Sequence, residues 1–366
     1  KFIDRDLYFR LDERGNYVSQ CCGNLLDMDN KHVQQYVIES LKYWMLEYHI
    51  DGFRFDQAHL LSLETAELIS SELKSLNPGV IIYGEAWDNR SKEFSEIEWG
   101  SFNAHFRDVI RGDLHDFEKK GFLFGSYRPN EDKNNLMSII AGTSRISGGV
   151  YKRSHHAINF LEVHDDYCFS DFLRLSSGEN KKDDLITDKL SHIALSPRLK
   201  KMNKLAAFIL FTSQGIPLFH QGQEWGHSKI IAETKAPDLN VHRMDPNSYN
   251  KDNETNWVNW NELSQNQDLV DFYKALIQIR KEYPQLRKTR PQDISFYNFK
   301  NEFSLGYGFN ETMIAYINGD NEEELEVILP DGIWSLLIGT SDQTTSELNN
   351  GKFILGPKDG VLLVRE

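Results

Sequence analysis

Short apolar runs that end abruptly in charged residues recur along this chain, each separated from the next by a helical stretch. Val80-Ile81-Ile82-Tyr83 runs into Gly84-Glu85, and residues 157–163 run into His164-Asp165-Asp166. A continuous apolar run of this length marks a strand covered on both faces, as in a parallel sheet between helices. Five such strands are expected, near residues 52, 82, 102, 160 and 218. Asn30 stands at the N-cap of a helix over 31–48, where Val33, Val37, Leu41, Met45 and Tyr48 keep helical spacing. A second helix over 62–76 is stopped by Asn77-Pro78-Gly79. Further helices are expected from 104 through Arg111 and over 135–143, 201–213 and 269–280. Residues 112–153 read as loop-rich, and 170–200, with Lys181-Lys182-Asp183-Asp184, as a solvated excursion. Strand–helix alternation means βα units, and the C-terminal ends of such strands carry the chemistry of a (β/α)₈ barrel.

From about Asp293 the texture changes. Short alternating segments fall at 303–305, 313–317, 325–328, 334–337, 353–355 and 361–364, and Asn318-Gly319-Asp320, Pro330-Asp331-Gly332 and Asn349-Asn350-Gly351 punctuate them. This predicts a small antiparallel β-sandwich over 293–366. The boundary lies in 282–292, which holds Pro284 and Pro291.

The charge balance narrows the function classes. A net charge of −14 opposes the basic footprint that a nucleic-acid binder needs, and suits a neutral substrate. No apolar stretch approaches the roughly 18 residues of a membrane span. Cys21, Cys22 and Cys168 form neither a disulfide framework nor a CxxC metal pair, and three free thiols point to a reducing compartment, the cytoplasm, over export.

Three strand ends carry candidate chemistry. In Asp51-Gly52-Phe53-Arg54-Phe55-Asp56, the period of two puts Arg54 and Asp56 on one face and both phenylalanines on the other. A charge pair facing inward is weak evidence for stability and reads either as a structural ion pair or as a site. Tyr83-Gly84-Glu85-Ala86-Trp87 places a carboxyl directly after an apolar strand, and burial there favours the protonated form that a general acid needs. Residues 159–166 end in His164-Asp165-Asp166, where no second histidine falls at a helical ligand spacing, which argues against a metal. Asp56, Glu85 and Asp165 come with no phosphate loop, nucleotide fingerprint or Gly-x-Ser-x-Gly elbow. Carboxylates without phosphate machinery suggest glycoside hydrolysis.

These three motifs resemble the α-amylase clan, glycoside hydrolase family thirteen. The resemblance implies Asp56 as nucleophile, Glu85 as acid/base and Asp165 as transition-state stabiliser, with Arg54 and His164 in support. Trp87, Phe169 and Trp225 are candidate stacking platforms for sugar rings, each with a core role as the alternative. Within the clan the likeness is to pullulanase-type debranching enzymes. It rests on Tyr8-Phe9-Arg10-Leu11, Cys22-Gly23-Asn24, Asp27-Met28-Asp29-Asn30 and Tyr43-Trp44, then on Thr212-Ser213-Gln214-Gly215-Ile216-Pro217 with Gln221-Gly222-Gln223-Glu224. Asn247-Ser248-Tyr249-Asn250 and Asn256-Trp257-Val258-Asn259-Trp260 resemble a substrate-loop region of that group. Ala86 stands where those enzymes usually have Pro, and Asp166 where many have Asn.

The implied fold is α/β: a partial (β/α)₈ TIM barrel, strands four to eight, over 31–285, followed by the sandwich. Residues 1–30 would be the end of an insertion between barrel strands three and four. The family's first conserved motif has no counterpart before residue 50, so the chain is expected to be the C-terminal part of a longer enzyme, missing the N-terminal half of the barrel and inactive alone. The implied partner is an α-glucan, and neither nucleic acid nor membrane. No cofactor is called for; calcium serves some relatives, but no site for it stands out. The alternatives are an α-1,4-acting amylase, a transglycosylase, or a truncated non-catalytic glucan-binding relative.

Overall fold

The computed structural model describes residues 4–20, 23–87, 90–235, 238–341 and 351–366. The Cys21-Cys22 pair and the Asn349-Asn350 turn therefore lie outside the described residues. The chain divides into two compact units, residues 1–102 with 150–158 and residues 103–149 with 159–366. Five strands form the expected sheet in the sequence order β1 to β5: β1 (Gly52–Phe55), β2 (Ile81–Gly84), β3 (Gly100–Asn103), β4 (Ala157–Asn159) and β5 (Ile216–Pro217). This is a partial (β/α)₈ barrel, and an antiparallel β-sandwich follows it.

In the first unit, helix α1 (Lys31–Tyr48) is capped by Asn30, whose side chain accepts from the His32 N–H. Helix α2 (Leu63–Leu76) is capped by Ser62, which accepts from the Thr65 N–H. These side-chain acceptors satisfy N–H groups that the first helical turn leaves free. Strands β1 and β2 pair in parallel, Arg54 opposite Tyr83 and Phe55 opposite Gly84. Phe53 and Phe55 pack with Ile69, Leu73, Ile82, Phe94 and Trp99, on the face away from Arg54, as the period of two requires. Helix α3 (Ser91–Glu96) lies between β2 and β3 in the chain.

The second unit holds α4 (Ala104–Arg111), α5 (Lys133–Ile140), α6 (Phe169–Ser177), α7 (Pro197–Thr212) and α8 (Gln267–Glu282). Three sequence expectations change here. The solvated excursion expected over 170–200 fails over α6, where every residue from Phe169 to Ser176 is buried, and holds beyond it, where Lys181, Lys182 and Asp183 are exposed. The two charged side chains of α6 have buried partners: Arg174 Nη1 lies 3.3 Å from the Asp171 carboxylate, and Ser228 Oγ donates to that carboxylate at 2.6 Å. Helix α7 starts four residues before the expected 201, with Ser196 as N-cap and Pro197 in the first turn, where a missing N–H costs nothing. The strands expected over 157–163 and 216–220 shorten to three and two residues, and the segments beyond turn into the loops that carry polar groups.

The sandwich comprises β6 (Ile294–Asn298), β7 (Ser304–Phe309), β8 (Met313–Asn318), β9 (Leu325–Ile328), β10 (Trp334–Gly339), β11 (Lys352–Leu355) and β12 (Asp359–Arg365). Its main sheet runs β10-β12-β8-β7-β6, and β9 pairs with β11. Strand β6 was not expected from sequence; it is an edge strand and only Ile294 in it is buried. Strand β8 is buried throughout, since both its faces are covered. Ile314 and Tyr316 face Val327 and Phe353, whereas Met313, Ala315 and Ile317 join the core that contains α7. The Tyr307 hydroxyl meets Thr212 Oγ1 at 2.6 Å, tying β7 to the end of α7.

Candidate active site

At the C-terminal ends of β1 and β2, Arg54 holds two carboxylates at once. Its Nη1 lies 2.9 Å from Asp56 Oδ1, and its Nη2 donates to Glu85 Oε1. A guanidinium suits this, since its fixed fork of donors can address two acceptors in one plane. The Phe102 ring lies 5.5 Å from the Arg54 guanidinium carbon, covering the cation. The Glu85 side chain is 5% exposed and that of Asp56 is 65% exposed, so one carboxyl is enclosed and the other open.

The backbone fixes Glu85 from both sides. Its N–H donates to the Phe55 carbonyl at 3.1 Å, and its carbonyl accepts from the His59 N–H at 3.1 Å. Gln57 adopts φ 49°, and its N–H donates to Glu85 Oε2 at 3.0 Å. A left-handed non-glycine residue is strained, and here the strain aims a donor at a carboxyl. Gly84 allows the approach: a Cβ on it would lie 2.4 Å from the Ala58 Cβ. Trp87 sits two residues beyond Glu85 and is half-buried.

The third motif lies in the second unit. His164 Nε2 is 3.4 Å from Asp165 Oδ2, and both side chains are open, 49% and 36% exposed. Asp166 adopts φ 59°, and burial pushes its carboxyl up while Arg111 and Arg107 pull it down. The buried Lys229 closes this turn, its ammonium donating to the His164 carbonyl at 2.7 Å and the Asp166 carbonyl at 3.3 Å. Lys229 was not singled out in the sequence; it lies 65 residues from His164 and no local pattern marks it.

Beneath that turn is a closed cluster. Glu162 is fully enclosed, with Oε1 3.0 Å from His220 Nδ1 and 3.1 Å from His227 Nε2, and Oε2 accepting from the Phe169 N–H. Burial works against its ionised form, but the two imidazoles outweigh it and hold the carboxyl well below the usual range. Burial likewise works against the charged His227, and the Glu162 carboxylate outweighs it and raises that imidazole. Cys168, fully buried, donates its thiol to the His227 carbonyl at 3.1 Å. Burial, with Asp171 and Glu162 nearby, pushes that thiol well above its usual value, so as a free thiol it is inert.

The aromatic expectations divide. Phe169 is fully buried among Phe172, Leu173 and the other core residues, and Trp225 is 1% exposed against Ile193 and Val270. Neither is a stacking platform; both faces are already covered by protein. Exposed indoles are found instead at Trp257 and Trp260, 60% and 61% accessible.

No protein-family model matches the chain. It is 26% identical over 301 residues to pullulanase of Bacillus subtilis (strain 168), covering 78% of this chain and 38% of that protein. It is 24% identical over 329 residues to isoamylase SU1, chloroplastic, of Zea mays, covering 76% and 38%. The chain thus spans well under half the length of these relatives. The solved pullulanase from Bacillus acidopullulyticus has the same fold with a TM-score of 0.80 at 25% identity, over 98% of this chain and 43% of that one. A pullulanase from Anoxybacillus sp. LM18-11, solved in complex with maltotetraose, matches with a TM-score of 0.78 at 24% identity, over 98% and 50%.

Proposed function

We propose, from the premise that the chain is a relative of pullulanase-type debranching enzymes, that it carries the catalytic groups of a retaining glycoside hydrolase acting on α-1,6 branches of α-glucans. The observation that carries this reading is the Arg54 fork, which joins an enclosed carboxyl at Glu85 to an open one at Asp56. Retaining hydrolysis needs that asymmetry: one carboxylate attacks the anomeric carbon while the other, as the acid, protonates the departing oxygen. Asp56, exposed and paired to a cation, is the nucleophile. Glu85, enclosed and fixed through Phe55, Gln57 and His59, is the acid, and after the glycosyl-enzyme forms it takes a proton from the attacking water.

Arg54 has a distinct part in this cycle. The proton moves on and off Glu85 while Asp56 alternates between carboxylate and ester. A cation bonded to both offsets whichever carries charge at each stage. Asp165 and His164, open and mutually in contact, grip ring hydroxyls, and Trp87 offers a face to a sugar. The substrate class is starch, glycogen or pullulan, which agrees with the maltotetraose in the Anoxybacillus relative.

The test uses protein expressed from its complete reading frame. A mechanism-based fluorinated glycosyl fluoride should label Asp56, and Asp56→Ala should abolish labelling. A label on another residue reassigns the nucleophile. Release of maltotriose from pullulan, with linear maltooligosaccharides left intact, is the expected specificity; cleavage of the linear chains alone would make the enzyme α-1,4-acting.

A further inference from the structure

The groups beneath the His164 turn do more than neutralise one another. Three donors of different softness, a Glu162 carboxylate oxygen, the Cys168 sulfur and a His227 ring nitrogen, all lie within 4.8 Å of one another. His220 stands beside this trio, its Nδ1 3.0 Å from Glu162 Oε1. We propose that Glu162, Cys168 and His227, with His220 beside them as the fourth donor that would move in, form a binding site for a divalent transition-metal ion of the zinc class, separate from the glycosidase groups.

The donor set fits that ion. Zinc takes thiolate, imidazole and carboxylate together in a tetrahedron, whereas calcium and magnesium take oxygen ligands. Bonds of about 2.0–2.3 Å at tetrahedral angles place neighbouring donors roughly 3.4 Å apart. The two imidazole nitrogens stand 3.0 and 3.1 Å from Glu162 Oε1 and the Cys168 sulfur lies within 4.8 Å of the Glu162 and His227 donors, so the ion would enter with a rearrangement of these side chains.

One ring nitrogen is aimed straight at the carboxylate: His227 Nε2 is buried and lies 3.1 Å from Glu162 Oε1, off the line of a good hydrogen bond. The backbone packs closely against the ring. Gly222, at φ 104°, passes directly under it, and a Cβ there would lie 1.8 Å from His227 Nδ1. The His227 N–H also donates to the Gly222 carbonyl at 3.0 Å. His220, one-third exposed, provides the entry side, while Glu162 and Cys168 form the floor.

Charge closes as well. A divalent ion with one thiolate and one carboxylate is neutral, which a site this enclosed requires. On binding, the Cys168 thiol breaks its S–H bond, its proton leaves to solvent, and the sulfur gives up its bond to the His227 carbonyl for one to the metal. The metal's charge supplies what the free thiol lacks. The ion would tie the segment after β4, with Glu162 and Cys168, to the segment after β5, with His220 and His227. His164 and Asp165 lie on the first of these, so the tie would steady them.

The test is spectroscopic and independent of any glycosidase assay. Metal-stripped protein from the complete reading frame, with Cys21→Ser and Cys22→Ser in the background, is titrated with cobalt(II). One equivalent should produce tetrahedral visible bands and a near-ultraviolet thiolate-to-cobalt band, both displaced by one equivalent of zinc. Cys168→Ser, nearly isosteric, should remove the thiolate band and weaken zinc binding at least tenfold, with an unchanged circular dichroism spectrum. A featureless octahedral cobalt spectrum in the parent, or zinc binding of equal strength in Cys168→Ser, overturns the proposal.

Discussion

Glu85 and Glu162 are both carboxyls removed from water just past an apolar strand, and they are held in opposite ways. Glu85 depends on one cation, Arg54, which it shares with the exposed Asp56. Glu162 is surrounded by two imidazoles and a backbone N–H, all spent on it alone. A shared cation lets charge move between two carboxyls; a closed shell fixes it on one. The first arrangement suits a group that must gain and lose a proton in each turnover, and the second suits one that organises its surroundings.

The largest effect should separate the two. Glu85→Gln should lower turnover on pullulan by about 10²–10⁴-fold, the usual contribution of a positioned general acid, with little change in melting temperature. Activity within tenfold of the parent would remove Glu85 from the chemistry. Glu162→Ala should instead destabilise by about 3–5 kcal/mol, because it leaves imidazoles and an N–H enclosed without their acceptor. Urea unfolding measures that loss. A variant as stable as the parent would mean that the cluster is not a structural shell.

A smaller effect tests how finely Glu85 is placed. Gly84→Ala would force a Cβ to within 2.4 Å of Ala58 unless the strand shifts. Displacement of about 1 Å at a reacting group costs on the order of 10²-fold in rate. The expected result is that loss in turnover with the substrate KM nearly unchanged. A proportionate rise in KM with turnover intact would place the shift in a binding surface instead.

The same contrast explains what could be read from the sequence. Arg54 and Asp56 share a face because strand side chains alternate, and Glu85 follows an apolar run that only a covered strand explains. Those are local patterns. The partners of Glu162 lie 58 residues away at His220, and the lysine on the His164 turn 65 away. No spacing rule reaches that far, so a search for histidines at helical spacing cannot find these partners. Phe169 and Trp225 misled for a related reason. Whether an aromatic is a platform or a core residue depends on what packs over it, and α6 packs Phe169, Phe172 and Leu173 into the core while Asp171 and Arg174 find buried partners. Strand β8 hid its alternation in the same manner, since both its faces are covered.

The smallest effect concerns acid, and it sets the two compact units against each other. In the first unit His156 is 2% exposed, with Nδ1 2.7 Å from Ser95 Oγ. Burial and the neighbouring His155 bring its pKa down to about 4, against the pull of Glu98. In the unfolded chain a histidine takes its proton near 6.5. Between these values the unfolded state binds the proton and the folded state refuses it. Stability from this residue therefore falls as pH drops from about 6.5 towards about 4, by on the order of 1 kcal/mol per unit. In the second unit Asp171 has the depressed value of a paired carboxylate. Burial opposes it, but His192, Arg174 and Ser228 outweigh burial and bring it down to about 2. That contribution is intact above the unfolded value of about 3.9 and is lost only as pH falls towards about 2. At pH 5 the two units should thus part company. Hydrogen exchange in α2, α3 and residues 150–158 should quicken relative to pH 7 after correction for intrinsic rates, while α6 stays protected. His156→Leu, which cannot take the proton, should flatten the response of the first unit. Equal loss of protection in both units at pH 5, unchanged by His156→Leu, would show that acid acts on the chain as a whole and that the enclosure of His156 is not what sets its tolerance.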